Sequence, residues 1–117
     1  MRVLVVEDEP LLAMLLEENL VELGYELAGC AATVPQALSM LDEADVDCAL
    51  LDFSLGHDAT SIPVAQRLHS DGKPFYFLTG HLSLDENPGI PPDAPMLTKP
   101  VSLGDLEGAL KEMAGTE

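Results

Sequence analysis

The sequence predicts a doubly wound α/β fold, in which helices cover both faces of a parallel β-sheet. Short, uniformly apolar runs alternate with stretches whose apolar residues recur at helical spacing. Strands that are apolar on both sides are typical of parallel sheets buried on both faces. A chain of 117 residues is close to the commonest domain size, so we expect residues 1–117 to form one domain.

Five runs have the composition of buried strands, and turn or cap residues separate them. These runs are Arg2–Val6, Tyr25–Cys30, Asp47–Phe53, Pro74–Thr79 and Ala94–Pro100. Parallel neighbours require crossover connections, which are almost always right-handed. The alternation therefore predicts a five-stranded parallel sheet, with functional groups at the carboxyl ends of its strands.

Helical patterns fill most of the connections. Pro10 suits the first turn of a helix that Gly24 ends, and Thr33 is a candidate N-cap for the second helix. A third helix is expected over Ser61–Ser70, and Ser102 is expected to cap the last one. The first helix is expected to bury Leu12, Leu15, Leu16, Leu20 and Leu23, and the last to bury Leu103, Leu106, Leu110 and Met113.

The connection between Gly80 and Ala94 breaks this pattern. It contains Pro88, Pro91 and Pro92 where a fourth crossover helix is expected. A proline inside a helix costs about 3 kcal/mol. We therefore expect the fourth helix to be short or replaced by a loop.

The charge of the chain excludes several classes of partner. The 21 acidic residues outnumber the five basic ones, which gives a formal net charge of −16. Such a surface repels phosphate backbones and anionic lipids, so direct binding to nucleic acid or to membranes is not expected. The sequence has no apolar run long enough to span a bilayer and no secretory signal, so we expect a cytoplasmic protein.

Polar residues stand where four of the predicted strands end. Glu7 and Asp8 follow the first strand, Asp52 ends the third, Thr79 ends the fourth and Lys99 ends the fifth. The carboxyl ends of parallel strands lie at one edge of a sheet, so we expect these side chains to converge. Any one acid taken alone could instead serve as a helix N-terminal charge.

Three converging carboxylates require positive charge. Two of them about 4 Å apart repel by about 4 kcal/mol at an effective dielectric constant of 20. Lys99 supplies one positive charge, and a divalent ion with oxygen ligands would supply the rest. Mg²⁺ fits this description, because it prefers oxygen ligands and needs only a few carboxylates.

Four segments carry a resemblance to a known family. "VLVVEDEP", "ALLDFSL", "FYFLTG" and "MLTKP", in this order and spacing, resemble the receiver domain of bacterial two-component response regulators. The resemblance covers essentially the whole chain. It implies a flavodoxin-like sheet with strand order 2-1-3-4-5.

The resemblance also implies a chemistry. Asp52 would accept a phosphoryl group from a phosphohistidine on a histidine kinase or histidine phosphotransfer protein. Glu7, Asp8, Asp52 and the backbone carbonyl of Ser54 would hold Mg²⁺. The domain would then be a phosphoacceptor that promotes its own phosphorylation and dephosphorylation, not an enzyme proper.

Further positions acquire roles from the same resemblance. Thr79 would hydrogen-bond the phosphoryl group and Lys99 would pair with it. The peptide bond between Lys99 and Pro100 is expected to be cis. Gly80 is expected to let the following loop approach the phosphoryl group closely.

Two features point to a particular branch of the family. Met96 stands where many receivers carry the Tyr or Phe that moves on activation. "KPFYFLTG" is similar to the Pro-Phe-x-Phe-Ala-Thr-Gly pattern of an alphaproteobacterial single-domain subfamily, with Leu78 replacing alanine. Such a regulator would act by phosphorylation-dependent contact with a downstream protein, or as a phosphate shuttle or sink. We also hypothesise that phosphorylation orders residues 81–94.

Other functions remain open at this level. A pseudo-receiver that only binds partners would not need the acid, threonine and lysine set. An aspartyl-nucleophile phosphohydrolase usually carries Asp-x-Asp on its first strand, which "EDE" at residues 7–9 does not match. A flavin-binding module would need a hydroxyl- and glycine-rich loop where these acids stand.

Overall fold

The computed structural model describes residues 1–55, 59–80 and 94–115. These residues form five strands and four helices in the predicted alternation. In chain order they are β1 (Arg2–Val6), α1 (Pro10–Glu22), β2 (Glu26–Ala31), α2 (Val34–Glu43), β3 (Cys48–Asp52), α3 (Ile62–Ser70), β4 (Phe75–Thr79), β5 (Met96–Thr98) and α4 (Leu103–Met113).

The five strands form a single sheet in the order β2-β1-β3-β4-β5, and all four pairings are parallel. The predicted doubly wound, flavodoxin-like fold with strand order 2-1-3-4-5 is therefore confirmed. In this order β1 and β3 are adjacent in the middle of the sheet, with β4 next to β3. The ends of these strands accordingly lie side by side.

The sheet separates two apolar layers, because successive side chains of a strand point to opposite faces. On β3, Ala49 and Leu51 enter the layer that includes α2 and α3, whereas Leu50 enters the layer that includes α1 and α4. Every residue of β3 and of β4 is buried. The uniformly apolar runs in the sequence reflect this burial on both faces.

Several predicted boundaries and caps hold. The hydroxyl of Thr33 accepts a hydrogen bond from Gln36 N–H at 3.3 Å, and the hydroxyl of Ser102 accepts one from Asp105 N–H at 3.0 Å. Gly24, with φ of 90°, adopts the left-handed conformation that ends α1. The second strand is shifted by one residue from the prediction, because Tyr25 N–H closes the end of α1 by donating to Leu20 O.

One part of the α1 prediction is wrong. Leu16 and Leu20 are buried as expected, but the side chains of Leu12 and Leu15 are 42% and 52% exposed. The apolar spacing was correct, yet the helix is apolar around much of its circumference. Only its inner face meets the sheet.

The fourth crossover falls outside the described residues. The predicted short helix or loop between Gly80 and Ala94, and the hypothesis that residues 81–94 become ordered, concern mainly residues 81–93, which the structure does not describe. Among the described residues, no helix is long and apolar enough to cross a bilayer.

Candidate functional site

The site lies at the carboxyl edge of the sheet, where the chain leaves β1, β3, β4 and β5. Glu7 and Asp8 follow β1, Asp52 is the last residue of β3, and Thr79 is the last residue of β4. Lys99 comes directly after β5. The sheet order places these four strand ends next to one another, as the sequence predicted.

Lys99 connects two of the acids. Its Nζ atom lies 2.9 Å from Oδ1 of Asp52 and 3.5 Å from Oε1 of Glu7. The side chains of Glu7 and Asp52 are 1% and 9% exposed, whereas that of Lys99 is 30% exposed. Two almost completely buried carboxylates therefore share one partly buried cation.

Glu7 is held in place by backbone groups. Its N–H donates to Ala31 O at 2.9 Å, and its Oε2 accepts a hydrogen bond from Glu9 N–H at 3.3 Å. Burial, followed by the hydrogen bond and the charge of Asp52, raises the pKa of Glu7 from its ordinary 4.5 to about 7, against the opposing effect of Lys99. One positive charge does not fully compensate this pair of acids.

The pKa of Lys99 moves in the other direction from what burial alone would give. Desolvation lowers it, but the hydrogen bonds and charges of Asp52 and Glu7 outweigh that effect and raise it. The ammonium group therefore stays protonated throughout the physiological range. It is a fixed positive charge at the mouth of the pocket.

The carboxylate oxygens are close enough to share a metal ion. One oxygen from each of Glu7, Asp8 and Asp52 lies within 4.8 Å of the other two. Asp8 is more open to solvent than its two partners, which leaves room for bound water. Oxygen ligands only, few carboxylates and access to water are the properties of a magnesium site, so the residues present fit this ion.

The segment after β3 leads past the site. Leu55 N–H donates to Ala59 O at 2.9 Å, and Ser61 N–H donates to Phe53 O at 3.0 Å. Neither of these bonds uses the carbonyl group of Ser54, the residue between them. These two bonds therefore hold the backbone around Ser54 without using the carbonyl that was predicted to be a metal ligand.

Thr79 is buried at 4% exposure, and its carbonyl oxygen accepts a hydrogen bond of 2.8 Å from Lys99 N–H. The backbone thus joins the two residues that were predicted to contact a phosphoryl group. Gly80, next in the chain, is exposed, and a Cβ added there would meet no described atom within 4 Å. The described residues therefore show no steric need for glycine at this position.

A family model described as the response regulator receiver domain matches residues 3–111. This chain belongs to the receiver domain family. The resemblance inferred from the four sequence motifs is confirmed. No curated protein matched the chain significantly.

Solved receiver structures superpose on nearly the whole chain. The solution structure of SdrG from Sphingomonas melonis Fr1 is 36% identical, with a TM-score of 0.81 over 97% of this chain and 96% of SdrG. The signal receiver domain of a modulated diguanylate cyclase from Desulfovibrio desulfuricans G20 is 26% identical, with a TM-score of 0.84 over 97% and 93% of the two chains. The receiver domain of the PhyR response regulator from Erythrobacter litoralis is 27% identical, with a TM-score of 0.83 over 99% and 91%.

The structure describes two further features predicted from the sequence, the Lys99–Pro100 peptide bond and Met96. The Lys99–Pro100 peptide bond is cis, as the resemblance implied. Met96 pairs with Phe77 across β4 and β5 and packs against the apolar layer that contains Phe77. The methionine is thus a partly buried side chain that packs against the core from the edge strand.

Sequence reasoning missed an apolar groove beside the receiver site. A cavity of about 360 Å³ opens between α1 and the segment that joins β5 to α4. Its polar end is formed by Glu7 and Lys99, and the rest of its lining includes Leu12, Leu15, Leu16, Leu78, Pro100 and Val101. The available signal was the run "LLAMLL" at residues 11–16, which has more apolar residues than one buried helix face needs.

Proposed function

We propose that this receiver accepts a phosphoryl group on Asp52 from a histidine kinase or a histidine phosphotransfer protein, in a reaction that depends on Mg²⁺. The contact of 2.9 Å between Lys99 Nζ and Asp52 Oδ1 carries the proposal. It places a fixed cation on the one acid that ends a completely buried central strand. Membership of the receiver family supports the same assignment.

The proposed step is a direct transfer. A carboxylate oxygen of Asp52 attacks phosphorus, the P–N bond to the donor histidine breaks, and an O–P bond forms. The electron pair of the broken bond returns to the imidazole. A carboxylate is a weak nucleophile, so position and electrostatic stabilisation must supply the rate. In this step Lys99 and Thr79 would contact the phosphoryl oxygens, where charge accumulates.

The charge balance explains the need for a metal and the basis of a switch. A magnesium ion held by Glu7, Asp8, Asp52 and the carbonyl of Ser54 would supply positive charge for the phosphoryl oxygens. Three carboxylates, one divalent ion and Lys99 then cancel formally. Phosphorylation replaces the single charge of Asp52 by about −2, which leaves surplus negative charge in the pocket. This surplus attracts the Thr79 hydroxyl and nearby backbone N–H groups.

The groove beside the site is where we propose that the donor docks. It is lined mainly by apolar side chains, and its polar end is formed by Glu7 and Lys99, which also belong to the acidic pocket. A helical donor that packs apolar side chains between Leu12, Leu15 and Val101 would bring its histidine toward Asp52. Phosphotransfer and docking would then share one surface.

We propose that the protein passes on its signal as a single-domain response regulator in the cytoplasm. The likeness to SdrG extends over 96% of that protein's chain. PhyR from Bartonella quintana, described as an anti-anti-sigma factor, is 27% identical, and the present chain covers 47% of it. These similarities support signalling by phosphorylation-dependent contact with a downstream protein, and a role as phosphate shuttle or sink is the alternative output.

The test uses phosphoramidate, a small donor with a P–N bond like that of phosphohistidine. We expect the wild-type protein to gain one phosphoryl group by intact mass with Mg²⁺, and none with excess chelator. Asp52→Asn should gain none in either condition. Asp45→Asn is the matched control, because Asp45 is exposed and lies away from the site. A phosphoryl group retained on Asp52→Asn would remove Asp52 from its proposed role.

A further inference from the structure

The outward face of α1 is apolar and has no partner within the described part of the chain. The side chains of Leu11, Met14 and Val21 are 76%, 50% and 64% exposed. With Glu18, they follow spacings of three, four and three residues, so they form one strip along the helix. The strip lies opposite Leu16 and Leu20, which attach the helix to the sheet.

Acidic side chains lie within this strip and beside it. Glu17, Glu18 and Glu22 are exposed beside Met14 and Val21, and they line the same shallow surface depression. The helix contains no basic residue. Exposed apolar side chains bordered by one sign of charge are typical of a protein-binding surface.

This strip, Leu11, Met14, Glu18 and Val21, is distinct from the groove proposed for the phosphodonor. The groove is lined by Leu12, Leu15, Leu16 and Asn19 on the other side of the same helix. None of the four strip residues lines the groove. A partner on the strip could therefore be bound while Asp52 is accessible to a donor.

The charges identify the kind of partner. Four of the five basic residues of the chain already form ion pairs with its own carboxylates, namely Arg2, Arg67, Lys99 and Lys111. A second copy of the chain therefore has little positive charge to offer the three glutamates. An anionic membrane is repelled by the same glutamates and by the net charge of −16.

We propose that the outward face of α1 docks an amphipathic helix of a partner protein whose apolar stripe is flanked by Lys and Arg. The stripe packs on Leu11, Met14 and Val21, and the basic residues pair with Glu17, Glu18 and Glu22. In this mode of recognition an amphipathic helix packs its apolar face on an exposed apolar surface. Apolar anchors supply the affinity, and flanking charges set the orientation. The docking does not depend on the phosphorylation state of Asp52.

The test uses a fluorescently labelled synthetic helix of about 18 residues, with leucines at helical spacing and lysines on both flanks. Fluorescence anisotropy measures its affinity, and backbone amide shifts locate it. We expect shifts along the outward face of α1. A peptide with glutamate in place of each lysine should not bind, and affinity should fall as salt rises from about 50 to about 300 mM.

Variants make the test specific to the surface. Met14→Gln with Val21→Gln should weaken binding about tenfold or more, since two apolar anchors are lost. Glutamine is a good helix former, and equal thermal unfolding would show that the fold is kept. The control is Leu103→Gln, which alters an equally apolar residue, 43% exposed, on α4. Asp52→Asn should bind the peptide with the wild-type affinity. The outcome of this test is therefore independent of whether Asp52 is the phosphoacceptor.

Three results would overturn the proposal. Equal binding of the lysine and glutamate peptides would show that charge does not select the partner. Undiminished binding by the Met14→Gln, Val21→Gln variant would place the peptide elsewhere. Concentration-dependent dimerisation of the wild type that this double substitution abolishes would assign the face to a second copy of the chain.

Discussion

The Nζ atom of Lys99 lies 2.9 Å from Oδ1 of Asp52, although 47 positions separate the two residues in the sequence. The same ammonium group reaches Glu7 at 3.5 Å. One cation thus pairs with two nearly buried carboxylates, whose negative charges repel each other. The predictions for the site follow from this shortage of positive charge.

Replacing Lys99 should slow phosphorylation without removing the acceptor. In Lys99→Gln we expect the rate of phosphoryl gain from phosphoramidate to fall about 100-fold, because one group that stabilises the transition state is lost. Intact mass over time measures this rate. Lys111→Gln, which removes an exposed ammonium group on α4, should keep the wild-type rate. Equal loss in both variants would contradict a specific role for Lys99.

The raised pKa of Glu7 predicts a dependence of stability on pH in the absence of divalent ions. The folded-state pKa of about 7 exceeds the ordinary 4.5, so the folded protein binds this proton more tightly than the unfolded chain. The contribution of Glu7 is therefore fully present below about pH 4.5 and is lost as the pH rises through about 7. Over that window we expect the free energy of unfolding to fall by about 2 to 3 kcal/mol from this group.

Urea unfolding of the wild type and of Glu7→Gln between pH 5 and pH 8 measures this effect. The neutral glutamine should remove most of the slope, and the difference between the two proteins isolates Glu7 from the other acids. Glu107→Gln is the control at a half-exposed position on α4. Parallel curves for wild type and Glu7→Gln would contradict the prediction.

Magnesium should stabilise the fold through the acidic cluster. We expect added Mg²⁺ to raise the midpoint of thermal unfolding, since a ligand that binds only the folded state shifts the equilibrium toward it. Asp8→Asn should weaken Mg²⁺ binding about tenfold or more by calorimetry, because one charged ligand is lost. Asp45→Asn keeps the cluster intact and should bind like the wild type. Loss of binding in Asp45→Asn as well would indicate a nonspecific effect of net charge.

Two helix starts should respond differently to the loss of a hydroxyl group. Thr33 caps α2 through its side chain, so Thr33→Ala should destabilise the protein by about 1 kcal/mol. Ser61 precedes α3, but its hydroxyl is fully buried and has no hydrogen-bond partner among the residues that the structure describes. Ser61→Ala should therefore be neutral or stabilising by up to about 1 kcal/mol. Urea unfolding compares the two, and equal destabilisation would refute the contrast.

The sheet could be predicted from the sequence because each strand is marked by a local run of apolar residues. The runs that became β3 and β4 are apolar at every position up to Asp52 and Thr79, which marks strands buried on both faces. Parallel order then brings the strand ends together without any knowledge of side-chain geometry. The convergence of Glu7, Asp52 and Lys99 could be predicted for that reason.

The exposed side of α1 could not be predicted in the same way. Periodicity identifies which residues are apolar, but it does not show what covers them. Leu12 and Leu15 follow the same spacing as the buried Leu16 and Leu20, yet they border an open groove. The shared ammonium group and the raised pKa of Glu7 also depend on distances that only the folded chain defines.

β5 has only three residues, Met96–Thr98, none of them fully buried, and it lies at the edge of the sheet. Lys99 directly follows it and is tied to the sheet through Thr79 O. The one cation that partly compensates Glu7 and Asp52 is thus positioned by a short strand at the edge of the sheet. Brief fraying at this margin, visible as faster amide hydrogen exchange at Lys99 than at Phe53, would leave Asp52 and Glu7 without their cation long before the protein unfolds.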